Sequence, residues 1–141
     1  FKLNKNSHLI LFIILLNLCC NKDEFNFPDT NVNFFIYPNN PSSEGLHFPG
    51  GTLNIEGGVN GIIIFHDYLD NYIAYDRACT NNPLLSCEQV NLDTESINIL
   101  KCNCCPSNYL IFDGSVVNGP AQNSLKRYNT SFDGIVLRIF N

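Results

Sequence analysis

Five cysteines in the second half of the chain are the residues whose type and spacing could do chemistry. Cys102, Cys104 and Cys105 lie within four consecutive positions, and Cys79 and Cys87 precede them. The thiolate form of cysteine both binds metals and attacks disulfides, so sulfur at this density indicates metal ligation, disulfide bonding or both.

The elements that must position these cysteines are typical of an all-β domain. Apolar and polar residues alternate in short runs that Gly, Pro, Asn and Asp residues separate, which is the pattern of antiparallel strands. The run 61–66 is apolar almost throughout, which predicts a strand buried on both faces. The predicted strands are 32–37, 52–56, 61–66, 71–76, 96–101, 109–112, 115–117, 125–130 and 135–140.

The connections between these strands are predicted from their turn residues. Two prolines and a glycine predict a loop over 38–45, and we expect no helix after residue 20. Asp113-Gly114 and Asp133-Gly134 predict two-residue hairpin turns.

The composition limits the possible functions. A chain of 141 residues with 45% hydrophobic and 15% charged residues is long and apolar enough for one globular domain and a short leader. The net charge of −5 predicts no nucleic-acid partner. The sequence contains no nucleophile elbow, phosphate loop or zinc-protease helix, so we expect no enzymatic activity.

The first 20 residues have the pattern of an export signal. Lys2 and Lys5 precede an apolar stretch over 9–18, which is shorter than the ~20 apolar residues that span a bilayer. The stretch ends in Leu-Asn-Leu-Cys-Cys and resembles a bacterial lipoprotein signal, which makes Cys20 the expected lipidated residue. The Asn-Lys-Asp-Glu that follows resembles the tag that directs Bacteroidetes lipoproteins to the cell surface.

These observations divide the chain into a lipoprotein signal peptide over 1–19, a tether over 20–31 and a β domain over 32–141. We therefore expect a bacterial protein at the outer membrane or cell surface, anchored there by its N-terminal lipid. The membrane is thus one expected partner, and the sequence names no redox partner.

The segment 101–121 resembles the second ligand box of Rieske iron–sulfur domains. That box consists of Cys-x-Cys-His-Gly-Ser, a strand, an Asp-x-x-Gly turn and Gly-Pro-Ala. The matching residues here are Cys102, Cys104, Ser107, Gly114, Gly119, Pro120 and Ala121. Cys79-Thr80 matches the start of the first box, and its second cysteine is displaced to Cys87. The resemblance implies a Rieske-like antiparallel β sandwich or barrel, with cysteine-bearing loops at 79–87 and 102–107 meeting at one tip.

The resemblance also implies roles for the cysteines. Cys79 and Cys102 match the two thiolate ligands of the family, and Cys87 and Cys104 match the disulfide that joins the two loops. Asn81 and Cys105 stand where the family has its two histidine ligands. The histidines of this chain are His8, His47 and His66, and each is expected to be an ordinary imidazole away from the site.

Three accounts of the site follow, and the sequence leaves them open. In the first, Cys79, Cys102 and Cys105 hold a [2Fe–2S] cluster for electron transfer, with Cys87 or Asn81 as the fourth ligand. In the second, four thiolates bind zinc, with Cys102 and Cys105 as one suitably spaced pair and Cys79 and Cys87 as the other. The wide spacing of the Cys79/Cys87 pair ranks this account last.

The third account has disulfides alone, in a cluster-free structural or interaction lipoprotein that retains the fold. Export bears on this choice, because a chain secreted unfolded cannot carry out a cluster that was inserted in the cytoplasm. Folded cofactor proteins leave through a twin-arginine signal, and no arginine precedes Arg77.

Overall fold

The computed structural model describes residues 25–141. The predicted signal peptide and the predicted lipidation residue Cys20 lie outside the described residues. Residues 25–32 have no regular secondary structure and lead into the first strand. Among residues 25–141, no helix is long and apolar enough to cross a membrane.

Within the described range the chain forms ten strands and one short 3-10 helix, so the predicted all-β class is confirmed. The strands are β1 (Asn33–Ile36), β2 (Thr52–Ile55), β3 (Ile62–His66), β4 (Tyr72–Asp76), β5 (Val90–Leu92), β6 (Ile99–Cys102), β7 (Asn108–Leu110), β8 (Val116–Asn118), β9 (Arg127–Phe132) and β10 (Leu137–Phe140).

The strands form two antiparallel sheets. The larger has six strands in the order β1-β10-β9-β4-β3-β2, and the smaller has four in the order β5-β6-β7-β8. The N-terminal β1 pairs with the C-terminal β10, with Asn33 opposite Phe140. This pairing joins the two ends of the domain in one sheet.

Strands β3 and β4 separate two hydrophobic cores because successive side chains on a strand point to opposite faces. Ile63, Phe65, Ile73 and Tyr75 pack into one cluster with the smaller sheet and with the cysteines Cys79 and Cys102. The alternate residues Ile62, Ile64, Tyr72 and Ala74 pack into the second cluster with residues of β9 and β10. Every residue of both strands is buried, as the apolar run predicted for β3.

The connections depart from the sequence predictions in two places. The predicted loop over 38–45 contains the 3-10 helix Pro41–Leu46. Proline suits the start of a helix because its φ is already near the helical value and its missing N–H would have no partner there. Burial of Leu46 in the second cluster holds this helix against β2 and β3.

The Asp-Gly pairs do not form two-residue hairpins. They lie in the longer connections 111–115 and 133–136. Asp113 accepts a hydrogen bond from the backbone N–H of Ser115 at 2.9 Å, and Asp133 accepts from that of Val136 at 2.7 Å. The aspartate side chains cap these wider turns by accepting hydrogen bonds from backbone N–H groups two or three residues later, as is typical of aspartate.

A buried carboxylate at the end of β4 fixes the course of the chain toward the first cysteine. Asp76 is fully buried and accepts hydrogen bonds from the backbone N–H groups of Val59 (2.6 Å), Asn60 (3.2 Å) and Ala78 (2.8 Å). It also accepts one from the hydroxyl of Tyr128 at 2.8 Å. A single side chain thereby connects the β2–β3 turn, β9 and the residue before Cys79.

We expect Asp76→Asn to lower the free energy of unfolding by about 3 kcal/mol, because an amide nitrogen would face buried N–H donors. Asp133→Asn is the matched control, since Asp133 accepts similar bonds on the surface and water can replace them, and we expect about 1 kcal/mol or less there. Urea unfolding of both variants measures the difference. An equal loss in the two variants would contradict this role for Asp76.

Candidate metal centre

The cysteine loops extend from strand ends that face each other. After β4 ends, Ala78 pairs with Gln89 in an isolated β-bridge, and Cys79 is the next residue. Cys102 is the last residue of β6 and lies opposite Val90 of β5. Because β5 and β6 are neighbours, the first loop returns alongside the start of the second, and the two loops meet at one tip.

Three cysteine sulfurs and one carboxylate converge at this tip. The Sγ atoms of Cys79, Cys102 and Cys105 and a carboxylate oxygen of Glu88 all lie within 4.8 Å of one another. Cys79, Cys102 and Glu88 are buried, and Cys105 is half-buried. Within residues 25–141, these three cysteines lie outside any disulfide. The structure therefore brings together the three cysteines that the sequence predicted as metal ligands.

A hydroxyl group lies beside each of two of the sulfurs. The Tyr109 hydroxyl lies 3.2 Å from the Sγ of Cys79 and accepts a hydrogen bond from the backbone N–H of Thr80 at 3.1 Å. The Cys105 thiol donates to the hydroxyl oxygen of Ser107 at 3.2 Å, and this oxygen also accepts from the N–H of Ala121 at 3.1 Å. Both hydroxyls belong to buried residues, so their positions are fixed by packing.

The surroundings shift the pKa values of the three thiols in different directions. Burial raises the pKa of the Cys79 thiol to about 12, and burial also raises the pKa of Cys102. At Cys105 burial acts in the same direction, but the hydrogen bonds of Ser107 and the neighbouring thiols outweigh it and lower the pKa. Burial likewise raises the pKa of Tyr109, which keeps its hydroxyl protonated beside Cys79.

Glu88 is the site residue that sequence reasoning missed. Its carboxylate accepts one hydrogen bond from the side-chain amide of Asn81 at 2.9 Å and another from the backbone N–H of Asn82 at 2.7 Å. Its backbone carbonyl accepts from the N–H of Cys79 at 2.7 Å. Two hydrogen bonds thus hold the carboxylate, and a backbone bond holds the residue beside the first cysteine. Its only signal in the sequence is its place directly after Cys87.

The predicted Cys87–Cys104 disulfide is present. The two Cα atoms are 5.7 Å apart and the bond joins the exposed faces of the two loops. Cys87 is therefore not the fourth metal ligand, which corrects that sequence-based alternative. Asn81, the other alternative, is exposed and its amide group donates to Glu88.

The described histidines lie in the six-stranded part of the fold and are bonded there. His66 ends β3, and its ring nitrogens bond the carbonyl of Leu46 at 2.9 Å and the carboxylate of Asp70 at 3.2 Å. His47 bonds the carbonyl of Asn40 at 3.1 Å. In residues 25–141 the donor group at the tip contains no imidazole.

The donor set does not fit a Rieske [2Fe–2S] cluster. The sequence resemblance aligns Asn81 and Cys105 with the two imidazole ligands of Rieske domains. The donor group described here contains no imidazole for a His-ligated iron. The spacing also disagrees. Two tetrahedral metals that share a pair of bridging sulfides, with metal–sulfur bonds of ~2.3 Å, hold the donors of opposite metals at least about 5.3 Å apart. The donors here are all within 4.8 Å.

Comparison with known proteins supports the Rieske-like fold. No protein-family model matches the sequence, and no curated protein is significantly similar to it. Among solved structures, the ferredoxin of carbazole 1,9a-dioxygenase from Nocardioides aromaticivorans IC177 matches with a TM-score of 0.50 and 14% identity. The match covers 79% of this chain and 98% of the ferredoxin. The Rieske-like antiparallel fold predicted from the sequence is therefore confirmed.

We expect the Cys87→Ser/Cys104→Ser double variant to lose about 3 kcal/mol of unfolding free energy, because the disulfide closes a loop of 17 residues in the unfolded chain. Urea denaturation against the non-reduced wild type measures this loss. Ser86→Ala next to the disulfide is the control and should change stability little. A double variant as stable as the wild type would show that the tip is held together without the bond.

Proposed function

We propose that this chain is an electron-transfer domain whose redox centre is iron bound by Cys79, Cys102 and Cys105. The observation that supports the proposal is the convergence of these three sulfurs at one tip of a Rieske-like fold. Two of them match the thiolate ligands of the Rieske family in the sequence. An electron carrier needs no substrate pocket, which agrees with a sequence that has no catalytic motif.

Thiolate-bound iron supplies a one-electron couple, and the chain's own residues would set its properties. Hydrogen bonds to the ligand sulfurs and their solvent exposure are the main protein contributions to such a potential. Tyr109 lies beside the sulfur of Cys79 and Ser107 beside that of Cys105, each at 3.2 Å. The core cluster of the two sheets covers the buried side of Cys79 and Cys102 and excludes water there.

The approach of a redox partner would be from the side of Cys105. This residue is half-buried, whereas Cys79 and Cys102 are buried. The neighbouring disulfide residues Cys87 and Cys104 are exposed on the same tip. A partner that docks over this disulfide would therefore come nearest the metal through the Cys105 sulfur.

The test is the iron and acid-labile sulfide content of protein purified without oxygen from its native membranes. We expect iron in the wild type and its loss in Cys102→Ser, because that change removes a buried donor. The Cys87→Ser/Cys104→Ser variant is the control and should keep its iron wherever it remains folded. Two irons with two sulfides indicate a [2Fe–2S] cluster, whereas iron without sulfide indicates a single-ion centre. Wild-type protein free of iron would contradict electron transfer.

A second function is favoured by the distance between two of the thiols. The Sγ atoms of Cys79 and Cys105 are 3.5 Å apart, so an oxidant could join them with little movement. The chain would then be a cluster-free structural or interaction protein with two disulfides. Intact mass measured without reductant distinguishes the two functions, since a second disulfide excludes Cys79 and Cys105 as ligands.

We also propose that the domain is exported and anchored to the outer membrane or cell surface by lipid on Cys20. Support comes from the sequence, where an apolar stretch too short to span a bilayer ends at this cysteine. A lipoprotein carries several acyl chains, and more than one chain is needed for stable membrane binding.

We expect Cys20→Ser to move the protein from the membrane fraction to the soluble fraction. Cys19→Ser is the matched control, because it changes the adjacent cysteine and leaves the acceptor in place. Immunoblots of fractionated cells measure both. A Cys20→Ser protein that is processed and sediments like the wild type would show that the anchor lies elsewhere.

A further inference from the structure

We propose that the tip binds one metal ion through Cys79, Cys102, Cys105 and Glu88, where Rieske domains bind a binuclear cluster. This inference deepens the function proposed above and rests on it for the metal-binding role of the three thiols. It adds Glu88 as the fourth ligand and makes the centre mononuclear.

The spacing of the donors is the first argument. A tetrahedral ion with metal–sulfur bonds of ~2.3 Å has its donor atoms about 3.8 Å apart. The four donors lie within 4.8 Å of one another, and the Sγ atoms of Cys79 and Cys105 are separated by 3.5 Å. One ion can therefore reach all four after small side-chain movements. A bridged pair of metals would instead require the donors to spread apart.

The surroundings of Glu88 are the second argument. The residue is 5% exposed, and within residues 25–141 no lysine or arginine forms an ion pair with it. Buried carboxylates are normally paired with a cation or bound to a metal, because removing an unpaired charge from water is costly. Each Glu88 oxygen accepts one hydrogen bond, from Asn81 or from Asn82, and keeps a lone pair for a further partner. A divalent ion at the tip supplies that partner.

The neighbours of Glu88 hold its carboxylate in the way that outer residues commonly hold metal ligands. Asn81 donates its side-chain amide to one oxygen, and the N–H of Asn82 donates to the other. The backbone bond between Glu88 and Cys79 fixes the distance between two of the proposed ligands. Asn81 therefore orients the fourth ligand, although it matches a histidine ligand position in the sequence.

The donor set also limits the kind of metal. Three thiolates and one carboxylate in a tetrahedral arrangement suit Zn²⁺ or Fe²⁺. Iron would serve electron transfer, whereas zinc would tie the two loops together without redox chemistry. Both ions share this ligand chemistry, and metal analysis of the native protein distinguishes them. Co²⁺ is a suitable probe for either, because its visible spectrum reports tetrahedral geometry and thiolate ligation.

The experiment is a titration of metal-free wild-type protein with Co²⁺ in the absence of oxygen, with the Cys87–Cys104 disulfide intact and the other three tip cysteines as thiols. We expect one Co²⁺ per chain, with the intense d–d bands of a tetrahedral site and the charge-transfer band of thiolate–cobalt bonds. Binding of two Co²⁺ per chain at the tip, or a weak spectrum without thiolate bands, would overturn the single-ion site.

Substitutions of Glu88 test the fourth ligand. We expect Glu88→Gln to weaken Co²⁺ binding about tenfold or more, which is the scale seen even for residues that only support a ligand, and to shift the d–d bands. Glu88→Cys should add a fourth thiolate and increase the charge-transfer intensity by about a third, in proportion to the number of thiolates. Exposed Glu95→Gln is the control and should leave affinity and spectrum unchanged. Unchanged d–d bands in Glu88→Gln, in a variant with wild-type circular dichroism, would exclude Glu88 as a ligand.

The outcomes separate this inference from the proposed function. Native protein that contains two irons and two sulfides, both retained in Glu88→Gln, would overturn the single-ion site and leave electron transfer standing. Native protein with one zinc would support the site and contradict the electron-transfer function. Wild-type protein that binds neither cobalt nor iron would overturn both.

Discussion

The buried carboxylate of Asp76 is the constraint on which the tip of this protein depends. Asp76 lies at the end of β4 and accepts hydrogen bonds from the backbone N–H groups of Val59 and Ala78. It also accepts one from the hydroxyl of Tyr128. The turn that it binds must approach closely, since a Cβ atom on Gly58 would lie 2.2 Å from its oxygen. These bonds determine where the chain leaves the six-stranded sheet, and Cys79 follows three residues later. The position of the first thiol is therefore a consequence of a polar interaction in the core.

The second loop reaches the same place through different contacts. The hydroxyl of Tyr109, on β7, bonds the backbone of Thr80 and lies beside the sulfur of Cys79. The disulfide between Cys87 and Cys104 joins the loops on their exposed side. The tip is thus tied on its buried side by a hydrogen bond and on its exposed side by a covalent bond. This arrangement holds three thiols close together without a metal, which would reduce the ordering that the proposed metal binding requires.

A Rieske-like fold does not by itself imply a Rieske cluster. Function depends on the site that a fold holds, and the same scaffold can support different chemistry. Here a Rieske-like fold and the Cys87–Cys104 disulfide are present, and the sequence resemblance aligns Asn81 and Cys105 with the two imidazole ligands of Rieske domains. The resulting donors are closer together than a bridged pair of metals allows, and Glu88 lies among them. This close donor group is the basis of the single-ion site proposed above.

The sequence by itself determined most of the strands, because alternation of apolar and polar residues is a local property that reports which face is buried. It also identified the cysteine loops and, through the family resemblance, the Cys87–Cys104 pair. The sequence pattern did not predict the strand Val90–Leu92 or the helix Pro41–Leu46. Elements this short depend on their packing partners more than on their own periodicity. For a similar reason, the sequence did not predict Glu88 as a residue of the site. A single acidic residue has no pattern, and only the pairing of distant strands brought its carboxylate within 4.8 Å of the three sulfurs.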